Sequence, residues 1–122
     1  MYQLKVNHQM KKITFYITIT FISLAILACS EEPPSIRVSN ERAAKANVQI
    51  KTVNNTINHN DVAGGTATNY QDVPEGKIDV TAEIQNETVS PISTFNASND
   101  NNYTIVILNT TPPALKINVS DK

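Results

Sequence analysis

From residue 35 onward, apolar side chains recur at every second position in short runs, and Pro, Gly or Asn cuts each run. Residues 77–84 are the clearest case: Ile78, Val80, Ala82 and Ile84 alternate with Asp79, Thr81 and Glu83. A period of two puts one set on a buried face and the other in water, which is the geometry of a strand. The same alternation links Ile36 with Val38, Val48 with Ile50, and Leu115 with Ile117 and Val119. Residues 102–109 (NYTIVILN) are apolar on both faces, as a central strand is. Residues 89–95 contain Pro91, which has no amide to donate, and so predict an edge strand.

The breakers fit the same picture. Asn54-Asn55 predicts a tight turn between strands over 47–53 and 56–58, because Asn tolerates positive φ. Gly64-Gly65 predicts a bulge or corner ahead of a strand over 66–73. Val73-Pro74-Glu75-Gly76 predicts a β-turn with Pro fixing φ at its second place, and Pro112-Pro113 separate the last two strands. Asn and Thr are abundant, which disfavours helix and suits strands joined by polar turns. The expected fold is all-β: a small immunoglobulin-like β-sandwich of about seven strands over residues 35–122. Tyr103 opens the central strand. Its hydroxyl fits either the corner bond of such folds or, as the plainer reading, an ordinary core Tyr with a wet hydroxyl.

Ahead of this domain lies a leader in three parts. Residues 1–12 are basic through Lys5, Lys11 and Lys12, with no acid. Residues 13–28 form a 16-residue apolar run without charge, ending in Ala28. Cys29-Ser30-Glu31-Glu32-Pro33-Pro34 then turns sharply polar. A basic start, a short apolar centre and a small last residue make an export signal over residues 1–28. A spanning helix of that length reaches about 24 Å, short of the roughly 30 Å hydrocarbon core. Residues 29–34 are expected to act as an acidic, proline-stiffened tether.

Cys29 is the single cysteine, so no disulfide forms within the chain. Ile26-Leu27-Ala28-Cys29 resembles the lipobox of bacterial lipoproteins. The resemblance implies cleavage between Ala28 and Cys29, thioether attachment of diacylglycerol to Cys29, and acylation of the new amine. Two or three acyl chains hold a protein durably, so the implied membrane partner is reached through lipid and not through a spanning helix. Ser30 after the cysteine resembles lipoproteins passed to the outer membrane, and the Ser-Glu-Glu run resembles acidic surface-export signals. The plain alternative is a charged spacer. The expected location is the cell envelope, at the outer membrane or cell surface.

Residues 62–76, Val62-Ala63-Gly64-Gly65-Thr66-Ala67-Thr68-Asn69-Tyr70-Gln71-Asp72-Val73-Pro74-Glu75-Gly76, resemble the core motif of domain of unknown function 4397. Ile36 to Asn40, Val48 to Ile50, Ile78 to Thr81 and Tyr103 to Val106 extend the likeness over most of residues 35–110. Gly64 stands where that family usually has an aromatic, and Glu75 where it has Ala. The resemblance implies a secreted or lipid-anchored immunoglobulin-like module and carries over no catalytic residue.

Composition narrows the function further. After residue 28 there are 7 basic and 11 acidic residues, a formal charge of −4, which opposes nucleic-acid binding. A nucleophile, base and orienting group are not grouped in the sequence: Cys29 goes to lipid, and His59 lies in the turn-like run Asn58-His59-Asn60-Asp61, where a solvated loop His is expected. Asp79 and Glu83 share a strand face expected to be solvated. The Asn-rich run 96–102 has oxygen ligands but not the acidic and glycine spacing of a calcium loop, and a hairpin is expected there. No cofactor and no metal site are expected. The sequence therefore predicts a non-enzymatic structural or interaction module of the envelope. The alternative is a solute- or glycan-binding lipoprotein accessory to an uptake complex, with an envelope protein or glycan as partner.

Overall fold

Period-two alternation builds two sheets. The computed structural model describes residues 30–122, and among them eight strands and no helix are present. They are β1 (Ser35–Asn40), β2 (Ala46–Lys51), β3 (Thr56–Val62), β4 (Gln71–Asp72), β5 (Gly76–Ile84), β6 (Ile92–Ala97), β7 (Asn101–Leu108) and β8 (Ala114–Asp121). One sheet has the order β4-β1-β7-β8 and the other β3-β2-β5-β6. The chain is all-β, with eight strands rather than about seven. Three hairpins, β2–β3, β5–β6 and β7–β8, are antiparallel, whereas β1 pairs with β7 in parallel. Glu32–Lys122 form one compact unit.

The buried half of each strand supplies the core. Ile36 and Val38 of β1 and Ile105 and Ile107 of β7 belong to one cluster with Val48, Ile50, Ile78, Val80 and Ala82 of the other sheet. Most are β-branched, which suits the pleated surface. Each fully buried Val or Ile contributes roughly 1.5–3 kcal/mol through apolar transfer. Strand β7 is central as expected, and Thr104 and Val106 on its second face are buried too. Strand β6 is an edge as expected. Pro91 keeps the pairing going through its carbonyl, which accepts the Ala82 amide at 3.0 Å.

Five local expectations are revised. The 47–53 strand stops at Lys51, and the turn over 52–55 is closed by the Thr52 hydroxyl, which accepts the Asn55 amide at 3.0 Å. Neither Asn54 nor Asn55 adopts positive φ. Strand β3 runs on to Val62, through residues that look like turn formers, because β2 pairs with it across a β-bulge. His59 therefore lies half-buried in a strand opposite Val48, and not in a solvated loop. The 66–73 strand shrinks to the two residues of β4. Residues 65–68 instead follow the β1 edge irregularly, with Gly65 and Thr68 amides donating to the carbonyls of Asn40 and Val38, both at 2.8 Å.

Tyr103 also departs from the plainer reading. Its hydroxyl is not wet: it accepts the Ser98 amide at 2.8 Å, five residues upstream, while its ring packs at 5.1 Å from Phe95. That is the bond expected of the corner role.

Candidate functional site

The lipidation and cleavage residues, Cys29 and Ala28, lie outside the described residues. The chain just after them does not run free. The Glu32 amide donates to the Asp100 carboxylate at 2.9 Å, and the Asp100 amide donates back to the Glu32 carbonyl at 2.9 Å. Pro34 is fully buried and its carbonyl accepts the Val73 amide at 2.9 Å. Lys122 adds ion pairs to Asp72 at 3.5 Å and Glu32 at 3.7 Å. Glu32 and Pro34 of the sequence-predicted tether are thus bonded to the sandwich, and only three residue steps, across Ser30 and Glu31, lead from Cys29 to the first of these bonds. A chain of that length spans at most about 11 Å.

The two ends of the sandwich differ. The end carrying the 98–100 turn holds Glu32, Asp100 and Lys122. At the other end, Arg42 gathers three loops. Its Nη1 donates to the carbonyls of Leu108 (3.0 Å) and Thr110 (2.9 Å), and its Nη2 pairs with Glu87 at 2.7 Å. Asn40, buried beside it, donates to the carbonyls of Ala44 and Val62 and accepts the Arg42 amide. Next to this end, the bulge in the β2–β3 pair borders a cleft of about 470 Å³ lined by Lys45, Asn47, Asp61, Glu83, Glu87 and Ser90 among others. The bulge leaves the Asp61 amide without a ladder partner, and the Asn47 side-chain carbonyl accepts it at 2.8 Å. Asp61 takes positive φ there and pairs with Lys45 at 2.9 Å.

The outward faces of both sheets are mainly polar. On β5, the Asp79 carboxylate accepts the Thr94 hydroxyl at 2.6 Å, which together with Lys77 holds its pKa below the usual value. Glu83 is exposed four residues along, on the same face. On the opposite sheet, Asp72 is held low in the same way, chiefly by the Ser35 hydroxyl at 2.6 Å and then by Lys122. Arg37 of β1 stacks 4.6 Å from the centre of the Tyr70 ring. Its Nε donates to the Thr104 hydroxyl at 3.0 Å, and the Tyr70 hydroxyl lies 3.2 Å from the same oxygen.

The sequence-predicted residues are not drawn into one catalytic set. His59 makes no side-chain hydrogen bond among the described residues, and no group of three or more His, Cys, Asp and Glu there is arranged to hold a metal. In the 96–102 run, Asp100 caps Glu32, and the Asn101 side chain donates to the carbonyls of Ser98 and Asn99. The Arg42, Asn47–Asp61 and Arg37–Tyr70 arrangements join residues 14 to 68 positions apart and leave no local pattern to read. No family model matches the chain, and no curated protein matches it.

Proposed function

We propose that this chain is an exported, lipid-anchored module of the bacterial cell envelope that serves a structural or interaction role and not an enzymatic one. The observation that carries the reading is the order of parts: a basic-apolar leader, the lipobox-like Ile26-Leu27-Ala28-Cys29, and a β-sandwich bonded to its own chain from Glu32 onward. Acyl chains on Cys29 supply the hold, at about 0.8 kcal/mol per buried CH₂. The short stretch between Cys29 and Glu32 keeps the sandwich close to the bilayer with its Asp100 end nearest. The Arg42 end, with its cleft, then faces away from the lipid and towards partners. The 7 basic and 11 acidic residues after residue 28 favour contact through the anchor and not through an attraction of the domain for anionic lipid.

Protease shaving of intact cells, with lysed cells as control and detection by immunoblot, tests the location. Digestion on intact cells supports display at the surface, and protection until lysis supports the periplasmic side. Recovery of the full chain in the cytosolic fraction overturns the proposal.

A further inference from the structure

We propose that the outward face of the β4-β1-β7-β8 sheet binds a carboxylate-bearing glycan, with Arg37 taking the carboxylate and Tyr70 offering its ring to a sugar face. This site shares no residue with the cleft beside the bulge.

Arg37 carries the argument. Its Nε is satisfied by Thr104, and the ring of Tyr70 fixes its plane, so the guanidinium is oriented before any ligand arrives. Both terminal amino groups are without an acceptor among the described residues, and no carboxylate there pairs with it. A planar fork held in place with its terminal donors unused suits bidentate capture of a carboxylate. The stack also lowers the entropy lost on binding, because one of the most flexible side chains is already ordered.

The surroundings select the rest of the ligand. Tyr70 is 43% exposed, whereas Tyr103 is buried and Phe95 half-buried, so Tyr70 is the most exposed aromatic of the described residues, with Arg37 on one face of its ring and the other face left for a sugar. Asn118 lies across from Thr104 in the β7–β8 register and is exposed, and Asn69 adjoins Tyr70. Amides beside an open ring complement hydroxyls beside a C–H face, which is sugar chemistry. Lys116 is a second cation on this face without an ion-pair partner among the described residues, in register with Val106 and Ser39. Two strand spacings across and two residues along put its Cα about 12 Å from that of Arg37. That separation exceeds one sugar ring, so the ligand that uses both cations is an oligomer with more than one carboxylate. The nearest acid across the sheet, Asp72 of β4, is in register with Ser35 and is already engaged by the Ser35 hydroxyl at 2.6 Å and by Lys122 at 3.5 Å, and Glu41 lies beyond the end of β1, four residues from Arg37. With 7 basic and 11 acidic residues after residue 28, the domain repels polyanions as a whole, so recognition has to be local to this pair.

The test is calorimetric titration of the detergent-solubilised full chain with oligogalacturonates, with neutral gluco-oligosaccharides and a poly-glutamate peptide as comparators. The expected result is binding of the oligogalacturonate at least tenfold tighter than either comparator and weakened by added salt. Arg37→Gln should weaken it tenfold or more, Tyr70→Ala and Lys116→Gln less, and Lys77→Gln on the other sheet not at all. Arg37→Lys, which keeps the charge and loses the fork, should fall between wild type and Arg37→Gln. Melting curves of each variant separate loss of binding from loss of fold. Equal affinity for neutral sugars, tighter binding of the peptide, no binding of the oligogalacturonate, or binding unaffected in folded Arg37→Gln would each overturn the proposal.

Discussion

Replacing Arg42 with Ala should unfasten one end of the sandwich. The side chain is 10% exposed and makes three charge-assisted bonds, two to the carbonyls of Leu108 and Thr110 and one to Glu87. A hydrogen bond to a charged group contributes about 1.5–3 kcal/mol. The three are not independent, water reaches the exposed Thr110, and the Glu87 side chain is 34% exposed, so the ion pair itself is worth little. Arg42 Nε is buried without a partner among the described residues, a cost that the substitution relieves. The net loss is then on the order of 2–4 kcal/mol. In a domain of this size each kcal/mol shifts Tm by about 4–8 °C, so a fall of roughly 10–25 °C is expected. Urea unfolding followed by circular dichroism measures it directly. Glu87→Gln, which keeps an acceptor for Nη2, should lose about 1 kcal/mol or less. A loss below about 1 kcal/mol for Arg42→Ala would refute the view that this residue fastens the three loops.

Other outcomes follow from single contacts. Gly64→Ala should destabilise the domain by roughly 1–3 kcal/mol, because a Cβ there meets the backbone carbonyls of Arg42 and Ala43; a thermal melt checks it, and an unchanged Tm would mean that the 41–45 loop moves aside freely. Tyr103→Phe removes the acceptor for the Ser98 amide and should cost about 0.5–1.5 kcal/mol in urea unfolding, leaving the Phe95 contact in place. Asp72 and Asp79 titrate below their ordinary value of 3.8 in the folded chain, so the stabilisation they give is complete above that value and is lost as pH falls through their lowered folded pKa values. Stability should therefore be level near pH 6 and decline below about pH 4, and the Asp72→Asn, Asp79→Asn double variant should decline less steeply in urea melts at matched pH.

The strands were legible where one strand's own alternation decides its burial. Ile78 to Ile84 and Ile36 to Val38 are such cases, and so is the edge at Pro91, because a missing amide is a property of the residue itself. Legibility ended where a partner strand decides. The Asn-rich run 58–61 has turn propensity, but cross-strand bonds to β2 and the Asn47–Asp61 bond hold it in a bulged strand. The 66–73 segment has strand-like residues, yet Gly65 and the β1 edge hold most of it in an irregular path. The candidate surfaces were out of reach for the same reason: Arg37 meets Tyr70, 33 positions away, only because β1 pairs with both β4 and β7.

Lipid attachment at Cys29 is tested most directly by labelling growing cells with radioactive palmitate and immunoprecipitating the wild-type chain and the Cys29→Ala variant. Lipidation puts label on the wild type, in a band shortened by the leader, and none on the variant, which retains its leader. An unlabelled wild-type chain, or equal label on both, would contradict it.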